Sequence, residues 1–357
     1  MEPNWNDWRW QLKNAIRNGD DLKSQLSLTP EEEAGLLSLR AQGGLPLTIT
    51  PHFLRLIDVD NPLDPLRLQL VPRASEFKLQ ESERRDPLGE EDHEVVPHLV
   101  HRYPDRVLLL ITDRCASYCR FCTRKRWVGQ GPTPKASDLE QALAYIRAHP
   151  EVKEVLVSGG DALLLGDENL AQLLSSIRAI QSVEIIRLAT RMLTFAPMRI
   201  TNQLVDILQQ HHPVYVMSHI NHPQELASEA KDAILKLTNA GIPVLNQTVL
   251  LRQVNNDVQV LATLFRELTR LRARPYYLHQ CDVASGTAHF RVPIGEALAL
   301  VKKLRGHISG LCIPTFMIDI PGGFGKVPMV PDPVVKREKD RIFLEGFRGE
   351  IAAYPTD

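Results

Sequence analysis

The pattern of apolar and polar residues becomes regular only from residue 106 onward. Short runs rich in β-branched, aliphatic or aromatic residues at 106–112, 154–158, 184–189, 214–218, 244–248 and 274–279 predict strands. The segments between them, such as 136–149, 169–180 and 223–240, have helical composition. Six β-α units in series predict a parallel α/β sheet, wound either as a barrel or doubly. A closed barrel takes about eight units, so the expectation is an incomplete (β/α)6 parallel barrel with an open side. Folds of this kind carry their chemistry at the C-terminal ends of the strands.

Residues 1–95 read differently, as a charged and mostly helical extension. Trp5, Trp8 and the stretch 11–16 have helical apolar spacing, and Thr29 followed by Pro30 and three glutamates reads as a helix start. Residues 61–65 and 86–89 are loop-like. The extension is expected to pack or to support a homo-oligomer rather than to catalyse. Three units follow: 1–95, a barrel over 96–312, and a C-terminal segment over 313–357.

Composition narrows the partners. Hydrophobic residues make up 43% and charged residues 24%, as in a globular enzyme, and the net charge of −1 supplies no basic face for nucleic acid. No apolar run approaches the ~20 residues of a membrane helix. The start, Met1-Glu2-Pro3-Asn4-Trp5, lacks the basic and apolar regions of a signal peptide. A cytoplasmic protein with neither nucleic acid nor membrane as partner is expected.

Three of the five cysteines, Cys115, Cys119 and Cys122, lie directly after the first barrel strand at C-x3-C-x2-C spacing. Three thiolates on one loop can hold three irons of a [4Fe-4S] cubane and leave the fourth open. A zinc knot would need a fourth ligand, and none stands at zinc-like spacing. A thioredoxin-like pair would leave Cys115 without a role. Cys281 and Cys312 are isolated and read as buried core thiols. The second strand ends in Ser158-Gly159-Gly160-Asp161, and a glycine pair there lets backbone approach a ligand. Past the barrel, glycines flank Phe324 and present Lys326. A lysine so placed could hold pyridoxal phosphate as a Schiff base.

The cysteine loop resembles that of the radical S-adenosylmethionine superfamily. Along nearly its whole length the chain further resembles the lysine 2,3-aminomutase family. The similar stretches include His101-Arg102-Tyr103-Pro104-Asp105-Arg106, Cys122-Thr123-Arg124, residues 158–164, Asn246-Gln247-Thr248-Val249-Leu250-Leu251, Cys281-Asp282 and residues 319–326. The resemblance implies S-adenosylmethionine at the open iron, with cofactor contacts from Ser158, Gly159, Gly160, Asp161 and Gln247. It implies pyridoxal phosphate on Lys326, with its phosphate near Arg102 and Arg106. It also implies that Arg124 pairs with the substrate carboxylate, while Asp282 and Asp319 hold the ε-ammonium of L-lysine. The implied reaction is 2,3-amino migration giving β-lysine, with a reducing partner such as flavodoxin or ferredoxin.

Related glutamate aminomutases replace the acidic pair. The clostridial-type zinc ligands are absent: one position is Asp257 here and no cysteine follows Cys312, so no zinc is expected. The branch that feeds elongation factor P changes the residues near Asp319, which this chain keeps. His279 stands where a tyrosine is usual. The same chemistry on ornithine, arginine or glutamate remains an alternative, as does a non-catalytic iron–sulfur protein of the same fold.

Overall fold

The computed structural model describes residues 4–356, so positions 1–3 of the start read for a leader, and Asp357, lie outside the described residues. Its main sheet has ten strands, each hydrogen-bonded to the next in chain order. They are β1 (Glu94–Val96), β2 (Leu99–Tyr103), β3 (Arg106–Thr112), β4 (Glu154–Gly159), β5 (Ile185–Thr190), β6 (Val214–Ser218), β7 (Val244–Leu250), β8 (Ala273–Gln280), β9 (Thr315–Ile320) and β10 (Gly325–Pro328). Strands β3 to β9 run parallel. The pairs β1–β2, β2–β3 and β9–β10 are antiparallel.

Six crossover helices, Ala136–Ala148, Asp167–Arg178, Asn202–Gln210, Ser228–Asn239, Val258–Arg270 and Ile294–Leu304, link the parallel strands. Sequential neighbours joined this way wind in one direction, as a barrel wall does. Among the described residues nothing pairs β10 with β1, so the wall is open. The helix Val258–Arg270 shows why the crossovers hold: Leu261, Leu264, Phe265 and Leu268 are fully buried along one stripe, each such side chain stabilising by roughly 1.5–3 kcal/mol.

The wall contains one parallel strand more than expected. Residues 313–320 follow Cys312, include Pro314 and read as the start of a tail, yet Thr315 pairs with Tyr277 and Phe316 is buried, so β9 joins β8. Lys326 therefore does not sit past the barrel. It lies on a hairpin that extends the barrel's own sheet, and a unit beginning at 313 would cut that sheet. A separate three-stranded antiparallel sheet, β11 (Val334–Arg337), β12 (Arg341–Glu345) and β13 (Ile351–Pro355), follows.

The extension starts with short capped helices. Thr29 and Glu32 form the reciprocal cap expected at Pro30, and Glu32 also pairs with the buried Arg67 at 2.7 Å. The extension then moulds the cysteine loop. Tyr118 N donates to Thr48 O at 3.3 Å and Arg120 N to Gln69 O at 2.8 Å. The fully buried Arg120 forks onto Glu76 and donates to the carbonyls of Leu45 and Pro46. A buried guanidinium needs such partners, because an unpaired one is costly.

Candidate active site

Cys115, Cys119 and Cys122 are free thiols on the loop that leaves β3. Burial pushes all three thiol pKa values up, Cys122 to about 11. Isolated thiols there would stay protonated, and bound iron would hold them as thiolates. Asp257 caps the helix Val258–Arg270 through bonds from Gln259 N and Val260 N.

The Gly-Gly turn serves this loop directly. Gly159 has φ +116°, and a Cβ on Gly160 would stand 2.0 Å from Arg114 O. The close approach lets Gly160 N donate to Thr112 O at 2.6 Å and Asp161 N to Arg114 O at 2.9 Å. The buried carboxylate of Asp161 accepts from Leu163 N, Thr190 Oγ1 and Arg191 N, tying β4 to the end of β5. Ser158 Oγ meets Arg124. Gln247 lies on β7 beside Tyr277 of β8.

Two residues here escaped the sequence reading. Arg191 donates to Cys119 Sγ at 2.8 Å, and its other arm reaches Glu225 at 2.6 Å and Gln69 at 3.1 Å. A buried guanidinium thus faces the thiol, held by its own counter-ion. His219 packs edge-on against Phe121 at 5.6 Å, and its Nε2 is buried without a partner. An orphaned buried nitrogen beside the loop fits a bound S-adenosylmethionine.

The lysine sits opposite. Lys326 on β10 is in register with Asp319 on β9, and its Nζ donates to Asp319 at 2.5 Å. The second oxygen of Asp319 lies 3.5 Å from Arg102. Lys326 N donates to the hydroxyl of Tyr103 at 3.0 Å. Arg102 and Arg106 lie over the Tyr103 ring, 4.9 Å and 3.9 Å from its centroid. Two guanidiniums around one tyrosine that touches the lysine strand suit a phosphate, so these residues fit pyridoxal phosphate on Lys326. His279 packs edge-on against Tyr277, and burial, then the Lys326 charge, pull its pKa to about 3, so it is a neutral imidazole.

Asp282 and Asp319 share a cavity of about 460 Å³ with Gln280, Cys281, Arg291 and Ile318. Their environments differ. Asp319 already has two cations, Lys326 and Arg102, so the two carboxylates are not equivalent. The Asp282 carbonyl accepts from Thr287 Oγ1 at 2.8 Å, but its carboxylate accepts no hydrogen bond among the described residues. Burial, then repulsion from Asp319, push its pKa up to about 7.

Arg124 has a protein partner of its own. Its Nε donates to both oxygens of Glu90 at 2.8 and 3.0 Å, and Nη2 lies 2.8 Å from the same carboxylate. Only Nη1, 3.3 Å from Ser158 Oγ, points elsewhere. Glu90 comes from the extension, which therefore contributes to the site and does more than pack.

Residues 109–265 match the Radical SAM superfamily, and residues 301–357 match the family described as Lysine-2,3-aminomutase. Over 356 residues the chain is 46% identical to an L-lysine 2,3-aminomutase of Acetoanaerobium sticklandii, covering 99% of this chain and 85% of that one. Identity to the L-lysine 2,3-aminomutase of Clostridium subterminale is 45% over 354 residues, with 99% and 85% covered. A glutamate 2,3-aminomutase of Clostridioides difficile is 39% identical over 351 residues, covering 98% and 82%.

Proposed function

We infer that this chain, which belongs to the lysine 2,3-aminomutase family of radical S-adenosylmethionine enzymes, converts L-lysine to β-lysine by moving the amino group from C2 to C3. The family implies a [4Fe-4S] cluster, S-adenosylmethionine and pyridoxal phosphate. When bound, the first two supply a carbon radical that abstracts hydrogen, and the third supplies an electrophile that carries the migrating nitrogen. Cys115, Cys119 and Cys122 would hold the cluster, Lys326 the pyridoxal, and Arg102 and Arg106 its phosphate. Asp319 can take the proton that Lys326 must shed before its amine can attack an aldehyde. The free Nη1 edge of Arg124 would receive the α-carboxylate.

The observation that carries the substrate assignment is the unpartnered Asp282 beside Asp319 in one cavity. Asp282 is half-buried in the empty site, and a bound substrate would take its carboxylate out of water without a donor; a cationic substrate tail offsets that cost. Glutamate would bring a third carboxylate to the same place. The electron would come from a flavodoxin- or ferredoxin-type protein, and a homo-oligomer fits the family. Anaerobic reconstitution followed by product analysis with lysine, ornithine, arginine and glutamate tests this reading. β-Lysine as the main product supports it; preferred turnover of another acid overturns it.

A further inference from the structure

Glu90 sits in the short segment 86–93 that closes over the site from the extension. It is only 4% exposed. Its carboxylate takes the Nε–Nη2 edge of Arg124 and also accepts from Arg126 Nη2 at 3.2 Å. Burial works against its ionisation, but the Arg124 and Arg126 guanidiniums outweigh burial and hold its pKa below the usual carboxylate range. Arg126 is itself held by Glu91 at 2.9 Å and Asp86 at 3.6 Å. The guanidinium of Arg124 is therefore gripped along one edge, and the Nη1 edge, 3.3 Å from Ser158 Oγ, is the one Glu90 leaves uncovered.

The same segment touches the cofactor lysine's hairpin. Gly89 has φ +60°, and a Cβ there would stand 2.9 Å from the backbone of Gly322 and Gly323. Gly322 N donates to Pro87 O at 3.2 Å, and Arg102 Nη1 donates to Leu88 O at 3.0 Å. His93 Nδ1 bonds Gly89 O at 2.7 Å and closes the segment on itself. Consecutive residues thus contact the Lys326 loop and the Arg124 fork.

We propose that Glu90 is a positioning residue for the substrate's α-carboxylate: it fixes which edge of Arg124 faces the site and, through residues 86–89, ties that edge to the Lys326 hairpin. The proposal rests on Arg124 receiving the carboxylate. A guanidinium has two usable hydrogen-bonding edges on Nη2, and a carboxylate on one pre-orients the other without blocking it. Replacing Glu90 by Gln puts an NH₂ group against a donor-only guanidinium, so Arg124 must turn away. Substrates with an α-carboxylate then lose their anchor, and those without one are unaffected.

The test uses enzyme reconstituted with cluster and pyridoxal phosphate, titrated without reductant. The readout is the change in cofactor absorption as an added amine displaces Lys326. For Glu90→Gln, the apparent Kd for lysine should rise at least tenfold, while that for lysinamide, which has no carboxylate, changes less than twofold. Glu90→Asp keeps the charge and should show the same selectivity with a smaller factor, which carries the test if the Gln variant misfolds. An equal loss for lysine and lysinamide overturns the proposal, because it marks a general structural role. Unchanged or tighter lysine binding also overturns it, because Glu90 would then compete with the carboxylate. If the parent enzyme responds to another α-amino acid and not to lysine, the lysine reading falls alone, and the comparison proceeds with that acid and its amide.

Discussion

Replacing Asp282 by Asn separates the two halves of the site most cleanly, because Asp282 has no partner to lose in the empty enzyme. Its carboxyl is half-buried beside Asp319, with Lys326, Glu90 and Arg102 as the other charges that act on it, and its pKa stands at about 7 against an ordinary 3.8. A lysine ammonium pairs only with the ionised form. Removing one partner of such a pair, once substrate buries it, typically costs ~3–5 kcal/mol, so at pH 8 kcat/KM for lysine should fall about 10²–10⁴-fold. Norleucine, which lacks the ammonium, should bind both forms alike. The sign of the pH effect follows from the raised value: the acid form prevails below about pH 7, so parental kcat/KM should drop about tenfold per unit below that point. The Asn variant should lose this acid limb. Stability should move the other way. An acid whose pKa is raised on folding destabilises the fold increasingly as pH climbs from 3.8 to about 7, by up to ~4 kcal/mol. The Asn variant of the cofactor-free protein should therefore melt higher at pH 8 and no higher at pH 4. The assay is initial rates with lysine from pH 6 to 9, competition by norleucine, and thermal melts at the two pH values. An Asn variant that keeps both the acid limb and the parental preference for lysine over norleucine refutes the reasoning.

Borohydride reduction of pyridoxal-loaded enzyme should fix the label on the peptide holding Lys326; label on another lysine would remove Lys326 from its role. Gly160→Ala forces a Cβ to within 2.0 Å of Arg114 O, so the variant should lose iron on reconstitution while still binding pyridoxal phosphate, and full iron content would contradict the packing account. Arg191→Lys keeps a positive charge for Glu225 but cannot reach both Glu225 and Cys119, whose sulfur now accepts at 2.8 Å. Losing that donor removes stabilisation of the more negative reduced cluster, so its potential, followed by EPR, should become more negative; an unchanged potential would show that the contact does not tune the cluster.

What the sequence made legible was local. The predicted strands agree with β3 to β8 to within a residue or two, because each is a short apolar run between turn residues. The Thr29 cap was readable for the same reason, since its partner Glu32 is three positions away. Chemistry carried by spacing, as at the three cysteines, was equally plain. The parts that stayed hidden join residues far apart in the chain. Glu90 is one glutamate in an acidic loop, where a solvated charge is the ordinary reading, and only folding sets it against Arg124, 34 positions later. Arg120 needs Glu76 44 positions earlier, and Arg191 needs Gln69 122 positions earlier. Arginine is usually exposed, so nothing in its neighbours signals burial. Strand β9 was hidden by Pro314, whose effect on the preceding residue argues for a break, although the run behind it, Thr315–Ile320, is mostly apolar. In each case the missing information is the partner. A buried charge is tolerated only where a distant chain segment brings its counter-charge. The extension supplies these partners to the cysteine loop through Gln69 and Glu76, and to Arg124 through Glu90. The segment with the least regular pattern thus sets the geometry of the most regular one.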